Sequence, residues 1–152
     1  MKLAEALQER ADLKRSISDL SDRLQRVALV QEGEKPVEDP KTLLKALDES
    51  VNRLEYLMAA INHTNDMMTT ANGMTLTALI ARKDALLLKQ SVYKNLAQEA
   101  GYNTSRARGT EIKVMPAVKV SEIQKEIDRM AKEVRTLDNL LQETNWTEDL
   151  IE

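Results

Sequence analysis

His63 is the only histidine of a chain that contains no cysteine. Zinc takes several nitrogen or sulfur ligands, and a di-iron carboxylate bundle needs a glutamate three residues ahead of a histidine, where Ala60 stands. His63 is therefore expected as a solvated side chain, and no metal site is expected. The missing thiols also exclude disulfides and a cysteine nucleophile. A Gly-rich phosphate loop, a nucleophile elbow and an HExxH pair are all absent from the sequence. Asp and Glu total 25, yet no two are singled out at acid/base spacing, so they read as solvating helix faces. The sequence predicts no catalytic residue, no cofactor and no enzyme.

Two other groups of residues are more suggestive. Arg106, Arg108 and Lys113, with Tyr102 and Ser105, make a locally basic, hydrogen-bonding stretch of the kind that holds a phosphate or an RNA backbone. Three cations are few, and a net charge of −3 repels nucleic acid. Pairing of these arginines with acidic groups of a neighbour, such as Glu143, Glu148, Asp149 and Glu152, is the competing reading, and nucleic acid is not expected as a partner. The second group lies in residues 56–81, where Asp66 is the only charged residue although 31 % of the chain is charged. Met58, Ile61, Met67, Met68, Met74 and Leu76 are the candidate interface there, since methionine adapts to irregular surfaces and the interspersed Asn and Thr can hydrogen-bond across a contact. Packing of this stretch against residues 102–120 is the alternative. A membrane span is not expected: the uncharged run 67–81 is too short and holds Asn72 and several threonines.

The elements that position these residues follow from punctuation. Aromatics are 3 % of the chain, with no Phe, while Leu, Ala, Glu, Lys and Arg dominate. That profile belongs to long helices and excludes an all-β fold. The four glycines and three prolines fall near 33–40, at 73 and in 101–116, leaving helices expected at 2–31, 40–64, 75–100 and 121–144. In the first, Leu3, Ala6, Arg10, Leu13, Ile17, Leu20, Leu24, Val27 and Gln31 keep a 3-4 spacing, the seam of a helix facing a partner helix. Gly33 is the expected stop. Asp39-Pro40 opens the second helix, whose seam is read as Leu44, Leu47, Val51, Leu54, Met58, Ile61, Asn65 and Met68, with fraying near 62–65. After a turn at Asn72-Gly73, Thr75 caps the third helix, with Leu76, Leu79, Lys83, Leu86, Gln90, Tyr93, Ala97 and Ala100 in one row and Ile80, Leu87 and Leu96 beside it.

Residues 111–119 alternate charged and β-branched types around Pro116, which predicts a short extended piece at an edge. A capping box at Ser121 to Gln124 then starts the fourth helix, along Ile123, Ile127, Met130, Val134, Leu137 and Leu141, with Asn145 at its end. The expected architecture is a single all-α domain spanning 1–152: four long helices in an antiparallel hairpin or bundle arrangement. Narrow seams favour hairpins that complete their cores against another subunit, hence a homo-oligomer.

Several polar segments carry a resemblance. The opening Met1 to Leu13, Ile61-Asn62-His63-Thr64-Asn65, Leu76-Thr77, Ala81-Arg82-Lys83-Asp84, Glu111-Ile112-Lys113 and Asn145-Trp146-Thr147 resemble a family of small helical bacterial proteins, some of whose members are labelled septicolysin. The resemblance spans essentially the whole chain. It implies an all-helical, self-associating protein without an established activity, and it transfers no site residue. The expected function is a non-catalytic self-assembling scaffold or adaptor. A membrane-active cytolysin and phosphate or RNA binding through residues 102–113 are the alternatives. The charged first helix, with no apolar leader before it, predicts a cytoplasmic location.

Overall fold

The computed structural model describes residues 1–102 and 111–152. They form helices α1 (Leu3–Arg26), α2 (Pro40–Met67), α3 (Leu76–Gly101) and α4 (Val120–Thr147), with no strand among the described residues. The protein is all-α, built from paired helices. Its helix starts are chemically marked. The Lys2 N–H donates to Glu5 Oε2 at 2.7 Å ahead of α1, Asp39 accepts from the Lys41 N–H at 3.1 Å with Pro40 at the first position of α2, and the Thr75 hydroxyl accepts from the Ala78 N–H at 3.1 Å in α3.

Several expected boundaries move. Helix α1 stops at Arg26, not 31, because Val27 turns into a small cluster with Leu20 and Leu43, and Glu38 of the connection grips Arg23 through bonds of 3.1 and 2.5 Å. Gly33 does not end the helix. It is the φ +82° corner of a later turn, closed by the Glu34 N–H on the Gln31 carbonyl at 3.0 Å. Helix α2 does not fray at 62–65, since the fully buried Thr64 donates its hydroxyl to the Ala60 carbonyl at 2.8 Å. Ser121 lies inside the first turn of α4, where the Lys119 carbonyl accepts from Glu122 and Ile123. Asn145 is a buried residue within α4, which runs on to Thr147. Residues 111–119 are non-helical, but only Lys113 takes a bridge position. Period-two alternation makes a strand only where a ladder is available to pair with it.

The chain divides into two compact units. The first comprises Met1–Met68 and Glu143–Glu152. Helices α1 and α2 run antiparallel in it: Arg53 clamps Glu9 with bonds of 2.7 and 2.9 Å near one end, and Arg23 holds Glu38 near the other. The buried face of α1 is the expected row, with Leu3, Ala6, Leu20 and Val27 inside. That of α2 is offset. Leu43, Leu57, Ala60, Ile61 and Thr64 are buried and Leu47, Ser50 and Leu54 half-buried, while Leu44, Val51 and Met58 are exposed. The seam therefore runs 43, 47, 50, 54, 57, 61, 64, which corrects every second position of the expected seam by one residue.

The last residues of the chain complete this unit. The Leu3 N–H donates to the Glu148 carbonyl at 3.0 Å, the Leu150 N–H to the Met1 carbonyl at 2.9 Å, and the Ile151 N–H to Thr64 Oγ1 at 2.9 Å. Lys2 Nζ bonds the Thr147 carbonyl and Asp149 Oδ1, each at 2.9 Å.

Acid should loosen this unit in a defined way. Hydrogen bonds from the Arg53 guanidinium hold the Glu9 carboxyl below its ordinary 4.5, and Lys2 holds Asp149 below 3.8. A carboxyl whose pKa is depressed by folding adds stability that is complete above its unfolded pKa and lost as pH falls through the folded one. The thermal midpoint is expected to drop from pH 6 to pH 3. Glu9→Gln should lower the pH 6 midpoint and flatten the dependence. Circular dichroism melts of both proteins check this, and parallel pH profiles would show that the pair contributes nothing.

The second unit is Thr69–Gln142. A tight turn opens it: the Thr70 N–H donates to the Met74 carbonyl at 2.8 Å, the Gly73 N–H to the Thr70 carbonyl at 2.9 Å, and Gly73 takes φ +83°. Helices α3 and α4 run antiparallel. Arg82 bonds Glu133, Lys83 Nζ meets Asp138 Oδ1 at 2.6 Å, and the buried Gln90 amide donates to the Ile127 carbonyl at 3.4 Å. The expected rows of both helices face inward, with Leu76, Leu79, Gln90, Ile127, Met130 and Leu137 buried.

Candidate functional site

The charge-poor stretch crosses from the end of α2 through the turn into α3. Heptad geometry spends part of the expected interface on the chain's own core: Ile61 and Leu76 are fully buried. Met58 and Met67 are 43 % and 63 % exposed, and Met68 and Met74 are half-buried. The hydroxyls and amides expected to reach across a contact are also engaged locally. Asn72 Oδ1 accepts from the Met74 N–H at 3.1 Å, the Thr70 hydroxyl lies 3.0 Å from the Met74 carbonyl, and Thr64 bonds Ala60 and Ile151. The large apolar side chains of this stretch that stay exposed are Tyr56, Met58 and Met67.

Arg106 and Arg108 of the expected anion-binding stretch lie outside the described residues. Lys113 and Tyr102 are exposed. Among the acidic residues offered as partners for those arginines, Asp149 is already paired with Lys2. His63 is exposed, as expected for a solvated side chain. Among the described residues no group of three or more His, Asp or Glu is placed to hold a metal ion, and no helix is long and apolar enough to cross a membrane.

Three surface features escaped the sequence reading. Within the first unit, Trp146 is 65 % exposed and forms a groove with Ala4, Gln8 and the carboxylates Glu5, Glu9 and Asp12. Each of those carboxylates has a donor of its own: the Lys2 N–H, Arg53, and Gln8 with Arg15. Arg53 and Arg15 offset two of the three negative charges, and Glu5 caps the start of α1. Within the second unit, Arg82, Lys89 and Arg129 surround a shallow groove floored by Ala85 and Leu86. Arg82 is committed to Glu133 and Arg129 to Glu126, and the Lys89 ammonium lies 5.8 Å from the Tyr93 ring centroid. The third feature is an apolar pair on the outside of α3, Leu88 and Val92, 72 % and 64 % exposed; Leu87 and Leu96, expected beside the inward row, are each about two-fifths exposed on its flanks. The spacing of the pair is visible in the sequence, but the competing row toward α4 is longer and conceals it.

A family model described as "Family of unknown function (DUF6847)" matches residues 10–150. The chain belongs to that family. As a DUF6847 protein it is also similar, at 39 % sequence identity over 99 % of each chain and with a TM-score of 0.89, to a functionally unknown conserved protein from Corynebacterium diphtheriae known from its crystal structure. No curated protein matches. These likenesses establish the DUF6847 fold along the whole chain and bring no substrate, cofactor or catalytic residue with them, so function has to be argued from surface chemistry.

Proposed function

We propose that the protein is a non-catalytic, self-assembling helical protein that serves as a scaffold or adaptor. The observation that carries this reading is the apolar surface left on helices that have already paired. Helix α2 exposes Leu44, Val51 and Met58 beside its seam, and α3 exposes Leu88 and Val92 opposite its own and Leu87 and Leu96 on its flanks. A pair of helices encloses only the stripe between them, so apolar residues on the outer faces need a further layer. Arg53, Arg82 and Lys83 are each ion-paired within their own unit, so none of them is a poised acid or base.

Light scattering coupled to size exclusion tests the reading on the intact chain. A mass of two or more protomers is expected at tens of micromolar, falling on dilution. A monomer throughout that range would overturn it.

A further inference from the structure

Helix α3 has two apolar stripes on opposite faces. Leu79, Leu86, Gln90, Tyr93 and Ala97 are buried or half-buried along the face that meets α4. Ala81, Ala85, Leu88 and Val92 repeat the same 4-3-4 spacing about 200° round the helix from it, at 100° per residue, and all four are exposed, Leu88 to 72 % and Val92 to 64 %. An apolar stripe on a helix calls for a partner, and within the unit the contacts from α4 described above reach the first stripe. We propose that the second stripe is the contact surface for a second copy of this chain, whose α3 lies parallel to the first across a two-fold axis. This rests on the self-assembly reading above and specifies its interface.

Residue types and charge together select that occupant. Written as heptads, the stripe places Ala81 and Leu88 at d and Ala85 and Val92 at a. Leucine at d with a β-branched residue at a favours two parallel strands, and the alanines let the backbones approach. Asp84 then falls at g and Lys89 at the following e, five residues on and on the opposite flank. In a parallel two-fold pair those flanks meet, so Asp84 of each copy faces Lys89 of the other, twice by symmetry. In an antiparallel pair like flanks meet, and Lys89 would face Arg82. Asn95 and Glu99 occupy the next d and a positions, which ends the contact about one turn beyond Leu88.

The test compares the intact wild-type chain with three variants by light scattering and circular dichroism. Leu88→Glu/Val92→Glu is expected to halve the mass with helix content unchanged, and Met67→Asp/Met68→Asp to keep the wild-type mass. Because the chain has no cysteine, Ala85→Cys introduces a single thiol at a position that meets its own copy only in the parallel arrangement. Oxidation should give a covalent dimer in high yield, and this variant decides the matter should the double glutamate variant fail to fold. A monomeric wild type overturns this proposal together with the self-assembly reading. A wild-type oligomer that survives Leu88→Glu/Val92→Glu, that splits only on Met67→Asp/Met68→Asp, or that gives no crosslink at position 85 overturns this interface and leaves self-assembly standing.

Discussion

Leu57→Ala is expected to cost about 2–5 kcal/mol of unfolding free energy, whereas Met58→Ala, one residue away, should change it by about 0.5 kcal/mol. The contrast follows from the seam of α2. Leu57 has no solvent exposure, so truncation leaves a cavity between α2 and its surroundings. Met58 is 43 % exposed, and its truncation removes surface that is largely hydrated already. Assembly adds a concentration-dependent term to both variants, so the comparison belongs at low protein concentration. Urea unfolding followed by circular dichroism measures the two costs. Equal costs, or a larger one for Met58, would restore the register that puts Leu44, Val51 and Met58 inside.

The reason that register is hard to read lies in particular letters. Leu43-Leu44 and Leu57-Met58 are apolar doublets, and either member fits a 3-4 row. The true seam passes through Ser50 and Thr64, which look like solvent positions, but each hydroxyl donates to the carbonyl four residues back at 2.8 Å and enters the interior satisfied. The other rows are legible directly: Leu3 to Val27 in α1, Leu76 to Ala97 in α3 and Ile123 to Leu141 in α4 are buried or half-buried as spacing predicts. Local rules also place the caps at Asp39 and Thr75. Contacts distant along the chain leave no such trace. Nothing in the spacing of Glu9 or Arg53 announces their pairing 44 residues apart, nor that the Met1 carbonyl awaits the Leu150 N–H. The candidate interface shows both situations. Its charge-poor composition is legible, but which of its methionines and leucines remain available depends on tertiary burial, and Ile61 and Leu76 are consumed by it.

Removing residues 148–152 should destabilise the first unit by about 3–5 kcal/mol, from the burial of Leu150 and from hydrogen bonds worth about 1 kcal/mol each. Three backbone donations disappear with the segment: Leu3 to Glu148, Leu150 to Met1 and Ile151 to Thr64. Leu3, fully buried at the start of α1, loses the partner of its N–H, and Leu150 no longer covers apolar surface. Burial and the three bonds are of similar size, so Leu150→Ala alone should reproduce about half of the effect. The Lys2–Asp149 ion pair is exposed on both sides, and Asp149→Asn should cost at most about 1 kcal/mol. Urea midpoints of the three variants rank these contributions, and hydrogen exchange at the Leu3 amide reports the opening locally. A truncated chain with the wild-type midpoint and a protected Leu3 amide would mean that α1 and α2 hold their ends unaided. A large loss on truncation with little on Leu150→Ala would shift the weight from burial to the backbone bonds.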